Sequence, residues 1–182
     1  MTDTLLSASF YIPDAFEPQG VRLPDGLIRA ALSLEARVVF ALRSSHFQQE
    51  GRPPSRRALR AELGIGIHQL QRLCAELQQK GWWAKAEIRP SRNYFVLPHQ
   101  LLRDSHVRPR SKAVALVLAN CADSYGRSEV SFAALEKRLG LTRQSLHDQL
   151  RGLANYVQVE AGADPTLGGQ REQLNAYLVR NL

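Results

Sequence analysis

A repeat at an offset of 76 residues constrains this chain more than any other feature in it. Residues 55–77 read SRRALRAELGIGIHQLQRLCAEL, and residues 131–153 read SFAALEKRLGLTRQSLHDQLRGL. Seven of the 23 aligned positions are identical: Ser55/Ser131, Ala58/Ala134, Leu59/Leu135, Leu63/Leu139, Gly64/Gly140, Leu70/Leu146 and Leu77/Leu153. Upstream, the same offset sets Val38 on Val114 and Leu42 on Leu118. A recurring segment of this size marks one supersecondary unit used twice.

Each unit reads in the same order. In the first, Leu34, Val38, Ala41 and Leu42 form one stripe of a helix over about Ser33–Phe47, with Ser33 as its N-cap. Pro53 and Pro54 break the chain, and Ser55 caps a short second helix that Gly64 ends with a left-handed residue. A third helix from about Ile67 lines up Ile67, Leu70, Leu73, Cys74 and Leu77 and stops at Gly81. Trp82–Ile88 and Tyr94–Leu97, joined by Arg89-Pro-Ser-Arg92-Asn, then read as a hairpin. In the second unit a helix over about Pro109–Asp123 begins on a proline suited to a first helical position. Ser131 and Gly140 bound its second helix, and Thr142 caps a third carrying Leu146, Leu150 and Leu153, which Gly152 weakens by about 1 kcal/mol relative to Ala. Val157–Ala161 and Leu174–Val179 flank a long loop, GADPTLGGQ. The expected organisation is an extended N-terminal arm (1–30), a first domain (31–98), a linker (99–107) and a second domain (108–182). The fold class is mainly α with small β-hairpins.

This constellation resembles the winged helix-turn-helix. The resemblance rests on S-x-x-A-L-x-x-x-L-G-I/L, then a cap, then L-x-x-x-h-x-x-L (h apolar), present twice, each time before a hairpin signal. It covers about residues 31–98 and 108–180. It implies two tandem winged-helix domains, each laying its third helix in a DNA major groove. The polar face of that helix offers His68, Gln69, Gln71, Arg72 and Ala75 in the first unit, and Arg143, Gln144, His147, Asp148 and Arg151 in the second. Gln can bond adenine through two hydrogen bonds, and Arg can bond guanine O6 and N7. The same residues serve equally as a solvated helix face, but acids are scarce among them: Glu76 comes late, and Asp148 is the exception. Arg89 and Arg92 on the expected wing suit phosphates or a minor groove, and Arg56 and Arg57 suit the backbone. The second wing loop carries Asp164, Arg171 and Glu172, so the first unit is expected to contact DNA more strongly.

Charge supports a polyanionic partner. The formal net charge is +7, and 20 of the 24 cations are Arg, whose planar fork suits phosphate and guanine. A GC-rich genome would produce the same Arg excess. Residues 1–30 sum to −2, residues 31–98 to +6 and residues 99–182 to +3. The acidic arm is a candidate surface for a second copy or another protein.

Other classes are excluded by what the sequence lacks. The longest apolar run, Ala113–Ala119, is far short of the ~20 residues that span a bilayer. The N-terminus has Asp3 and no basic residue before its apolar ones, unlike a signal peptide. Two distant cysteines, Cys74 and Cys121, make no disulfide framework, and both read as packing residues; a cytoplasmic location is expected, nucleoid-associated if the chain binds DNA. Trp82 and Trp83 read as anchors for the wing. His99 and His106 lack a zinc spacing, and there is no phosphate-binding loop or nucleophile elbow. No enzyme, metal or cofactor is expected. The functional expectation is a sequence-specific double-stranded DNA-binding protein that regulates transcription. Two alternatives stay open. Plasmid replication initiators also carry two winged helices, which allows a plasmid or phage replication or maintenance factor. Winged-helix subunits of chromosome-condensing complexes bind proteins instead, though with more acidic surfaces.

Overall fold

The computed structural model describes residues 20–122, 128, 130–162 and 173–177. In chain order the elements are β1 (Gly20–Pro24), α1 (Gly26–Arg29), α2 (Leu34–Glu50), α3 (Arg56–Leu63), α4 (Ile67–Gln79), a 3-10 turn (Ala84–Glu87), β2 (Tyr94–Pro98), α5 (His99–Arg103), α6 (Pro109–Asn120), α7 (Phe132–Leu139), α8 (Arg143–Arg151), β3 (Gln158–Gly162) and β4 (Gln173–Tyr177). The described structure is mainly helical, with its strands in antiparallel pairs.

The repeat reappears residue for residue. Ser55 Oγ accepts from the Ala58 N–H at 3.1 Å, and Ser131 Oγ accepts from the Ala134 N–H at 3.1 Å. Each hydroxyl satisfies a backbone donor at a helix start. Gly64 (φ 63°, ψ 32°) closes α3 and Gly140 (φ 63°, ψ 30°) closes α7, both in the left-handed region. The apolar stripes Leu70/Leu73/Cys74/Leu77 of α4 and Leu146/Leu150 of α8 are buried as their spacing requires.

Helices α2 and α6 are different in kind from the amphipathic pairs they support. Every residue of α6 from Ser111 to Ala119 is buried, and α2 is buried from Val38 to His46. The two pack on each other, so one continuous apolar core runs through both repeats. Burial on all sides marks helices enclosed by their neighbours, although Arg43, Ser44, Ser45, His46, Ser111 and Lys112 are buried with the apolar residues.

Three expectations are corrected. No hairpin forms between Trp82–Ile88 and Tyr94–Leu97: β2 pairs antiparallel with β1, from Gly20↔Pro98 to Pro24↔Tyr94. The strand partner comes from the segment read as an extended arm. Its remaining described residues include α1, whose Leu27 is buried. Residues 84–87 instead turn tightly, because Trp82 and Trp83 are drawn against α2. Trp82 meets Phe40 edge-on with ring centroids 5.4 Å apart, and Trp83 lies under the Arg43 guanidinium at 4.0 Å. The tryptophans are anchors as expected, but of a turn rather than a strand. Lastly, the segment read as a linker folds as α5 and buries His99, Leu101 and Leu102.

Elsewhere the expected elements form. Ser33 Oγ caps α2, Pro109 opens α6, and β3 pairs with β4 from Gln158↔Tyr177 to Gly162↔Gln173. Residues 1–19 of the arm and the loop bearing Asp164, Arg171 and Glu172 lie outside the described residues. Gly152 has a packing reason: a Cβ there would sit 2.8 Å from Ser111 Oγ on α6.

Candidate nucleic-acid interface

The cations of α3 are uncompensated among the described residues. Arg56 and Arg57 occupy the first turn of α3, and Arg60 its last; all three are exposed and make no ion pair among the described residues. Arg56 is close enough to α4 for its charge to act on Cys74, where burial raises the thiol pKa and Arg56 opposes it. On α4, His68, Gln71 and Arg72 are exposed and Gln69 is half-buried, with no side-chain partner among the described residues. The one acid of α4, Glu76, is taken out of play. Its carboxylate accepts from the Ser33 N–H at 2.5 Å and from Ser33 Oγ at 2.7 Å, so it clamps the start of α2.

The N-terminus of α4 is also open. Its N-cap, Gly66, has no side chain to satisfy the first backbone donors. Arg89 and Arg92 are exposed on the loop between the 3-10 turn and β2. Asn93 (φ 50°) turns that loop, and its carbonyl accepts from the Asp25 N–H at 2.9 Å. Ile88 beside it is 63% exposed, the one large apolar side chain among the described residues so open to solvent.

The second unit's candidates are placed differently. Arg143 and Gln144 are exposed, as is Arg151, while His147 is half-buried. Each is engaged. The Arg143 guanidinium lies 5.6 Å from the Phe132 ring centroid, and His147 stacks on the same ring at 5.0 Å. Gln144 Nε2 donates to Asp148 Oδ1 at 3.3 Å, and Arg151 is 4.0 Å from that carboxylate. Thr142 Oγ1 accepts from the Ser145 N–H at 3.3 Å and closes the helix start.

Between α2, α3, α5 and α6 lies a polar cluster that sequence reasoning missed. His46 on α2 is buried, with Nδ1 at 2.9 Å from Glu50 and Nε2 at 3.0 Å from Glu62. Arg103 of α5 reaches Glu50 at 3.1 Å and Glu62 at 3.7 Å. The His46 hydrogen bond holds Glu50 below the usual carboxylate range. Lys112 of α6, with 0% exposure, donates from Nζ to the Glu62 carbonyl at 2.9 Å. Burial pushes it down to about 8, against the raising pull of Asp104 and Glu62. Nearby, His99 shares a 2.6 Å hydrogen bond with Ser45, and burial, then the Arg103 charge, push it down to about 4. The only sign of this cluster in the sequence is Ser44-Ser45-His46 inside an apolar helix and Lys112 at the head of Ala113–Ala119.

Among the described residues no three His, Cys, Asp or Glu side chains are grouped to hold a metal, and no helix is long and apolar enough to cross a membrane. Cys121 is half-buried and accepts a hydrogen bond from Arg138 at 2.7 Å. Comparison with family models, curated proteins and solved structures finds no match for this chain.

Proposed function

We propose that this protein binds double-stranded DNA in a sequence-specific way, through the helix-turn-helix elements repeated along its chain, and acts as a transcriptional regulator. The observation that supports the reading is the first unit's surface: α4 bears His68, Gln69, Gln71 and Arg72 without side-chain partners among the described residues, and the same unit carries exposed Arg56, Arg57, Arg89 and Arg92 that make no ion pair among them. Unpaired guanidiniums gain from releasing the counterions of a phosphate backbone. Side chains without partners are free to bond base edges at no internal cost. Function is by binding, with no cofactor.

The test separates the two roles. A preferred site is first selected from random-sequence DNA. Replacing both Arg89 and Arg92 with Ala is expected to weaken selected and random DNA alike and to lower the salt slope by about 1 for each phosphate no longer neutralised. Gln69→Ala or Arg72→Ala is expected to cost about 1–3 kcal/mol on the selected site and little on random DNA. Failure to enrich any site overturns the reading and favours a protein-binding role.

A further inference from the structure

Resting on the DNA-binding reading above, we propose that the duplicated units have diverged in role: α4 alone reads bases, and Asp148 is the residue that keeps α8 from gripping the duplex. The repeat makes the comparison position by position. Both third helices begin at equivalent residues, Ile67 and Arg143, so Arg72 and Asp148 are each the sixth residue of their helix. Both are exposed. A guanidinium at that place attracts phosphate and bonds guanine, whereas a carboxylate repels phosphate.

The other equivalences point the same way. Arg56 is answered by Phe132, Arg57 by Ala133 and Arg60 by Glu136. Phe132 does more than remove a charge: its ring collects both Arg143 and His147, the residues best placed at the start and middle of α8. Asp148 in turn engages Gln144 and sits near Arg151. All five side chains that α8 would present to a groove, Asp148 among them, thus have partners within α7 and α8. The polar side chains that α4 presents have none among the described residues. Gly66 leaves the start of α4 open to a phosphate, while its equivalent Thr142 already fills the start of α8. Docking α8 would require breaking these interactions and bringing Asp148 toward the backbone charge.

The full chain is assayed on a site selected from random-sequence DNA, with hydroxyl-radical footprinting, and with circular dichroism to confirm folding of each variant. The wild type is expected to protect one major groove and its flanks. Asp148→Asn is expected to raise affinity for selected and random DNA by about threefold, the scale of one screened charge near phosphate. Asp148→Arg is expected to raise it by about tenfold, to steepen the salt slope by about 1, and to extend protection to a second groove. Replacing Arg143, Gln144 and Arg151 together with Ala is expected to leave the preferred sequence unchanged. Protection of two successive grooves by the wild type overturns the proposal. So does an altered base preference in Asp148→Asn, which would make the carboxylate a cytosine reader, or affinities of both Asp148 variants within about twofold of wild type. A wild type that binds no DNA at all overturns the parent reading instead, so the two failures are told apart.

Discussion

At the scale of single residues, the buried ionisable groups set how this fold responds to pH. His99 is held down to about 4 by burial and by Arg103, below the ordinary value of 6.5. Between those values the unfolded chain takes up a proton that the native chain refuses. Stability is therefore complete above pH 6.5 and is lost on acidification toward 4. At about 1.36 kcal/mol per unit, the loss between about pH 7 and 4.5 is roughly 2–3 kcal/mol. Urea denaturation at the two pH values is expected to show wild type losing that much more than His99→Asn, which does not titrate; equal losses would remove His99 as the cause.

At the scale of elements, the equivalence of the repeats can be read as equal energies. Ser55 and Ser131 make the same 3.1 Å cap on helices of the same length. Ser55→Ala and Ser131→Ala are each expected to lower stability by about 1 kcal/mol, with the pair additive. Thermal melts of the two single variants and the double check this. These caps, the glycine stops and the leucine stripes were legible in the sequence because each is a local device whose cause lies within a few residues. The strand pairing was not. Trp82–Ile88 has the apolar content of a strand, but its two tryptophans are claimed by Phe40 and Arg43 on α2, and that demand is set by tertiary packing. Strand β2 then takes its partner from far upstream, as in the pair Val21↔Leu97, a separation no local pattern encodes. The candidate binding residues were legible as polar positions on a helix face. Their unequal engagement in the two units was not, because it depends on which side chains find Phe132 and Asp148 within reach.

At the scale of the whole molecule, α2 and α6 form the seam between the repeats. Ion pairs and hydrogen bonds cross it besides the core: Arg110 to Glu35 at 3.2 Å, Lys112 to the Glu62 carbonyl, and Tyr156 to Asp104 at 2.9 Å. Lys112 is held down to about 8, below the ordinary 10.5, so the charged form is disfavoured in the native state. Raising pH from 8 to 10.5 deprotonates it first in the native chain, and relieves that penalty. Relative to Lys112→Met, wild type is expected to gain roughly 2–4 kcal/mol across this window in urea denaturation; parallel curves would show that the ammonium carries no such penalty. A chain cut back to residues 20–104 bares the α6-facing side of α2 and is expected to aggregate or to lack a cooperative melt. The shared spine also bears on how such a duplication ages. Neither copy can be swapped for a foreign module or lost without baring the apolar flank of the other, so surface positions are free to change while the buried helices tie the two halves to a common fate.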